Sequence, residues 1–119
     1  MLEGGKKSIY NKIKFGPIAR KYRERGKALG LISEGGEWRG TVREKAVFLF
    51  RLHGELMGGK ALSKTPWAEL LCFFTYPEGY KHKDLLRDSR NVAKEWRNIE
   101  NLNEAMLRER FSSVYDVFE

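Results

Sequence analysis

Apolar residues recur along this chain at helical spacing, in blocks separated by Gly, Pro and charged residues. Over residues 81–99, Leu85, Val92, Trp96 and Ile99 fall on one line with Ser89, and Leu86 and Ala93 lie beside it. The segment contains no Gly or Pro, so the pattern predicts an unbroken helix. A second block, 42–57, places Val42, Ala46, Leu49, Phe50, Leu56 and Met57 on one face, widened by Phe48 and Leu52. Its polar sector is narrow, so this helix is expected to be the most buried and to serve as the hub. Thr41 and Glu44 form a capping box at its start, and Gly58 and Gly59 supply its stop.

Shorter blocks flank these two. Trp67, Leu70, Leu71 and Phe74 follow the i, i+3, i+4, i+7 rule behind Thr65 as cap and Pro66 just inside the helix. Tyr76-Pro77-Glu78-Gly79 then breaks the pattern. Asn101 and Glu104 have cap-like spacing ahead of an apolar seam of Leu107, Phe111, Val114 and Phe118. Five glycines punctuate 26–40, where a short hairpin through Glu34-Gly35-Gly36-Glu37 would pair Leu31-Ile32 with Trp38-Arg39.

The N-terminal residues are less regular. Residues 1–7 read as a disordered lead. Residues 8–15 fit either a strand, through Ile9, Ile13 and Phe15, or a short helix capped by Ser8. Pro17 opens two helical turns with Ile18 and Tyr22 facing inward. The expected architecture is all-α: a compact bundle of about five helices with short connections. It divides into a flexible basic arm with a short helix over 1–27 and a helical domain over 28–119. At 119 residues the whole suits one compact domain.

Charge changes this picture in two places. On the predicted 81–99 helix, Lys83, Arg87, Arg90, Lys94 and Arg97 repeat at steps of four and three, opposite the apolar face. Asp84, Asp88 and Glu95 form a seam between the two. Like charges at i,i+4 cost about 0.2–0.5 kcal/mol each in an isolated helix. An anionic partner would relieve that cost; solvent and salt screening is the plainer explanation. The second place is the N-terminus, where residues 1–27 carry nine Lys/Arg against two Glu, which accounts for the entire net charge of +7. Lys12, Lys14, Arg20, Lys21, Arg23 and Arg25 interleave there with Tyr10, Phe15 and Tyr22. That mixture suits phosphate contacts with base stacking, although Phe15 and Tyr22 also suit an anchoring role against the core.

These features predict a nucleic-acid-binding protein, for DNA or RNA, that contacts the phosphate backbone through the arm and the stripe. An accessory subunit, or a replication, packaging or transcription factor, fits. The 65–74 and 81–99 segments make a helix-turn-helix-like pair, yet an all-cation stripe tracks phosphates better than it reads bases. The alternative is a helical adaptor or inhibitor docking on an acidic protein surface, with Tyr76, Tyr80 or Phe118 as anchors.

Candidate chemistry subtracts rather than adds. No catalytic, metal-binding or cofactor-binding motif is present, so the chain reads as a non-enzyme. Gly54 to Ala61 misses the P-loop pattern by its final hydroxyl and follows a helix instead of a strand. His53 reads as a hydrogen-bonded core histidine, and Cys72 as a small buried hydrophobe. His82 could join a cationic patch at a helix start. Asp84 and Asp88 lack a third ligand nearby. No run of 18 apolar residues and no apolar leader are present, which favours an intracellular, cytoplasmic setting. Gln is absent while Lys, Arg and Glu abound, a composition seen in heat-adapted proteins.

Overall fold

A computed structural model describes residues 4–58 and 64–119, with side chains from residue 10 onward. Seven helices are present among them: α1 (Gly4–Phe15), α2 (Pro17–Ala28), α3 (Val42–Leu56), α4 (Trp67–Leu71), α5 (His82–Ile99), α6 (Glu104–Arg110) and α7 (Ser112–Phe118). The protein is an all-α bundle, and α3 is its hub, packing on α1, α2, α4, α5 and α7. Residues 1–3 of the expected lead, Gly59 of the helix stop, and Gly59 to Ala61 of the P-loop-like stretch lie outside the described residues.

The N-terminal expectation needs correcting. In place of a flexible arm, α1 and α2 pack on each other and on the bundle, α1 against α4 and α2 against α3 and α7. Gly4 to Lys7 belong to α1 rather than to a lead. The helical alternative for residues 8–15 is the observed one. Gly16 breaks the two helices apart because a residue before proline is held extended, here at φ −74° and ψ 151°. Ile13, Ala19 and Tyr22 are buried, whereas Phe15 is 74% exposed and Ile18 also faces solvent, so neither anchors the segment. The α2 helix ends in a Schellman motif: Gly30 sits at φ +81°, its N–H bonds Lys27, and Leu31 N–H bonds Gly26.

The predicted hairpin is reduced to one antiparallel bridge between Ile32 and Trp38. Gly36 turns it at φ +95°, and the Gly36 carbonyl accepts from Thr75 N–H at 2.9 Å, which ties the turn to the α4–α5 connector. The Trp38 indole closes over Phe48 and Phe74, and its Nε1–H donates to Thr41 O at 2.9 Å.

The capping box at Thr41 and Glu44 is formed in both directions. From it, α3 buries Ala46, Val47, Phe48, Leu49, Leu52, His53 and Leu56. Phe48 sits at the centre of an aromatic cluster with Phe73, Phe74 and Phe118. Val42 and Phe50, expected on the inward face, are exposed; Phe50 instead stacks on Trp96 of α5 at 4.1 Å. The His53 ring is buried, but its Nε2 has no partner among the described residues, so it is not the hydrogen-bonded core histidine expected.

The segment after residue 65 starts later and ends sooner than its pattern suggested. Pro66, not Thr65, occupies the cap position of α4, with no side-chain cap. After Leu71 the chain tightens into i→i+3 hydrogen bonds that still deliver Phe73 and Phe74 to the core. At the C-terminus, Asn103 rather than Asn101 caps α6, accepting from Met106 N–H. Phe111, at φ −122° and ψ 43°, splits the expected single seam into α6 and α7 while burying its own ring.

Candidate nucleic-acid interface

The α5 helix is fixed to the core by Val92 and Ile99, which are buried, and by Leu85 and Trp96, which pack on the core from its edge. One of its flanks meets α3 and the other meets α4. On its outer face Lys83, Arg87, Arg90, Lys94 and Arg97 are all exposed. Arg87 is partly neutralised, by Asp84 at 3.3 Å and Asp88 at 3.5 Å. The other four have no carboxylate within 4.0 Å among the described residues. The acidic seam is engaged elsewhere: Glu95 pairs with Arg43 of α3 at 2.9 Å, and Asp88 accepts from the Tyr80 hydroxyl. Asp84 also accepts from the Lys81 N–H at the helix start.

The N-terminal cations divide into two groups. Lys12 Nζ donates to Leu56 O at the end of α3, and Arg25 donates to Asp116 O near the end of α7. Arg23 is half-buried, donates to Ile13 O and Phe73 O, and lies 4.4 Å over the Phe73 ring. Burial lowers its pKa without threatening a guanidinium's charge. Carbonyls at helix C-termini carry partial negative charge and lack intrahelical donors, so cations collect there. Lys14, Arg20 and Lys21 are exposed, with Lys21 Nζ 5.3 Å from the Tyr22 ring. Arg20 and Lys21 ride on α2, which packs on α3 and α7, while α5 packs on α3 and α4.

Lys14 is the arm residue that meets α5. It lines a cavity of about 230 Å³ together with Cys72, Tyr76, Tyr80, Lys81 and His82. Cys72 is partly exposed there rather than a fully buried hydrophobe. Tyr76 and Tyr80 stack on each other at 4.2 Å and 11°, and the Tyr76 hydroxyl donates to Leu71 O at 2.6 Å. A larger cavity, about 560 Å³, opens where the start of α4 faces the middle of α5; Lys64, Trp67, Glu69, Ser89 and Arg90 line it. A third, near 240 Å³, lies on the opposite flank of α5, between Glu37, Lys45 and Asp88.

Burial first, and then neighbouring negative groups, push both Tyr76 and Tyr80 above the ordinary tyrosine pKa. Burial also raises the Cys72 thiol, against the pull of Lys14, and lowers the Lys45 ammonium, against Asp88. At neutral pH the phenols and thiol are therefore protonated, able to pack and donate. Lys64, Lys81 and the tyrosine stack were absent from the sequence-derived site. In the sequence the two tyrosines figured only as anchors of the protein-docking alternative, flanking a Pro-Glu-Gly turn, which says nothing of what that turn folds against. The expected helix-turn-helix pair also departs from its template, since α4 is five residues long and the connector to α5 spans 72–81.

Among the described residues, no group of three or more His, Cys, Asp or Glu side chains is placed to hold a metal ion. No described helix is long and apolar enough to cross a membrane. Comparison with protein-family models, curated proteins and solved structures yields no match.

Proposed function

We propose that this protein binds nucleic acid through the outer face of α5, with Lys14 and the head of that helix extending the contact surface. The observation that carries this reading is the stripe itself. Four cations in line, on a helix immobilised by its opposite face, stand exposed without a carboxylate partner among the described residues. Phosphates spaced along a backbone are the anion array that such a line matches, and each neutralised phosphate releases counterions. The stripe itself is all Lys and Arg, with the exposed amides Asn91 and Asn98 only beside it, so binding is mainly backbone-directed. Phe118, which a protein-docking reading would use as an anchor, is engaged internally, against Tyr22 and Phe48.

A salt-titrated binding series on DNA and RNA, after removal of co-purified nucleic acid, tests the proposal. Affinity is expected to fall linearly with log salt. The double reversal Lys94→Glu with Arg97→Glu should flatten that slope by about two phosphate contacts and keep the helical circular dichroism. Undetectable binding at low salt, or a slope untouched by the reversal, overturns it.

A further inference from the structure

The groove between α4 and α5 bears on the form of nucleic acid bound. The start of α4 faces Ser89, Arg90 and Ala93 of α5, whereas Cys72, just past its end, faces Lys81, His82 and Leu85. The two segments therefore run antiparallel, with one cavity at each end of the groove. Residues 82 and 93 are about 16 Å apart along the α5 axis at ~1.5 Å per residue. Lys64 and Arg90 line one end; Lys14 and Lys81 line the other. Among the described residues, Glu69 is the one carboxylate lining either cavity.

The end nearer the helix start has a different character. Its wall is the Tyr76–Tyr80 stack, held in place by the hydroxyl bonds to Leu71 O and Asp88, which lowers the ordering cost of binding against it. At about 230 Å³ it lies below the ~300–1,000 Å³ of drug-sized ligand pockets, which suits one aromatic base. A base inside a duplex is paired and stacked and cannot enter such a cavity; an unpaired one can, with its phosphate left among the cations. We infer that a single strand lies along the α4–α5 groove with one unstacked base against the tyrosine pair, an inference that rests on the nucleic-acid reading above.

Cys72, the sole cysteine, lines this cavity and reports on it directly. The full chain is alkylated with N-ethylmaleimide while saturated with a single-stranded oligonucleotide, or with a blunt duplex of the same length. The single strand should slow alkylation at least ~5-fold, the low end of one stacking contact, and the duplex should not. Conversely, the maleimide adduct should lose single-strand affinity by a similar factor at unchanged duplex affinity, while Cys72→Ser stays indifferent to the reagent. Circular dichroism of the adduct checks that it remains folded. Lys14→Ala, at an exposed position, supplies an independent reading and should weaken single-strand binding more than duplex binding. If both forms bind with a steep salt slope and neither protects Cys72, or both protect it equally, the groove inference is overturned while the phosphate-binding reading stands. If neither form binds at low salt, the phosphate-binding reading itself has failed.

Discussion

His53 is the residue whose environment carries the clearest physical consequence. It sits on the most buried helix with Nε2 unpartnered among the described residues, and desolvation holds its pKa below the ordinary histidine value. The unfolded chain therefore takes up the proton more readily than the folded one. Stability from the neutral ring is fully present above about pH 6.5 and is lost as pH falls toward the depressed folded pKa. A melting series from about pH 7.5 to 5.5 should show Tm declining before carboxylates titrate. His53→Leu, which removes the buried polar atom, should flatten that decline and hold or raise Tm at neutral pH. An unaltered slope in the variant would place the titration elsewhere.

At the scale of elements, the turn at Gly36 shows how a short connector becomes structural. Its φ of +95° favours glycine, and an added Cβ would come within 2.6 Å of Thr75 Oγ1. Gly36→Ala should cost more than about 1 kcal/mol by urea unfolding, because backbone strain and the Thr75 contact act together. Gly30, whose φ is also positive but whose Cβ would meet nothing within 4 Å, is the natural comparison, and its alanine variant should cost less. For α5 the stripes sort as the periodicity implies: apolar side in, cations out, acids between. The acids' destinations came from neighbouring elements. Glu95 is taken by Arg43 of α3 and Asp88 by Tyr80, which leaves the α4 flank richer in positive charge.

For the whole molecule, the N-terminal charge is divided between cohesion and surface. Lys12, Arg23 and Arg25 bind carbonyl oxygens of Leu56, Ile13, Phe73 and Asp116, joining α1 and α2 to three distant points of the chain. Arg23 does most, with two carbonyls and the Phe73 ring. Arg23→Ala should therefore lower stability by about 1.5–3 kcal/mol, the range for hydrogen bonds made by a charged group. Its salt-dependent nucleic-acid affinity, measured well below the melting point, should stay near that of the parent. A large affinity loss in a folded Arg23→Ala protein would return this residue to the binding surface.

The sequence by itself determined most of the helices. The period of 3.6 in 42–57 and 81–99 and the Thr41–Glu44 box are local signals, and local hydrogen bonding and side-chain spacing suffice to read them; the end of α2 is not such a case, because Gly26, which opens the glycine-rich stretch, lies buried inside that helix. The cationic stripe was legible for the same reason, since one helix presents it whole. Only the tertiary structure decided the rest. Whether a lysine or arginine faces solvent or a carbonyl depends on which helix ends lie nearby, and residues 56, 73 and 116 are distant in sequence from the cations they receive. Trp67 to Leu71 stops short of its own apolar pattern because packing of Phe73 and Phe74 onto Phe48 outweighs another helical turn. Lys14, Lys81 and the Tyr76–Tyr80 stack meet in one cavity because α1, α4 and α5 pack together, a juxtaposition that no spacing along the chain encodes.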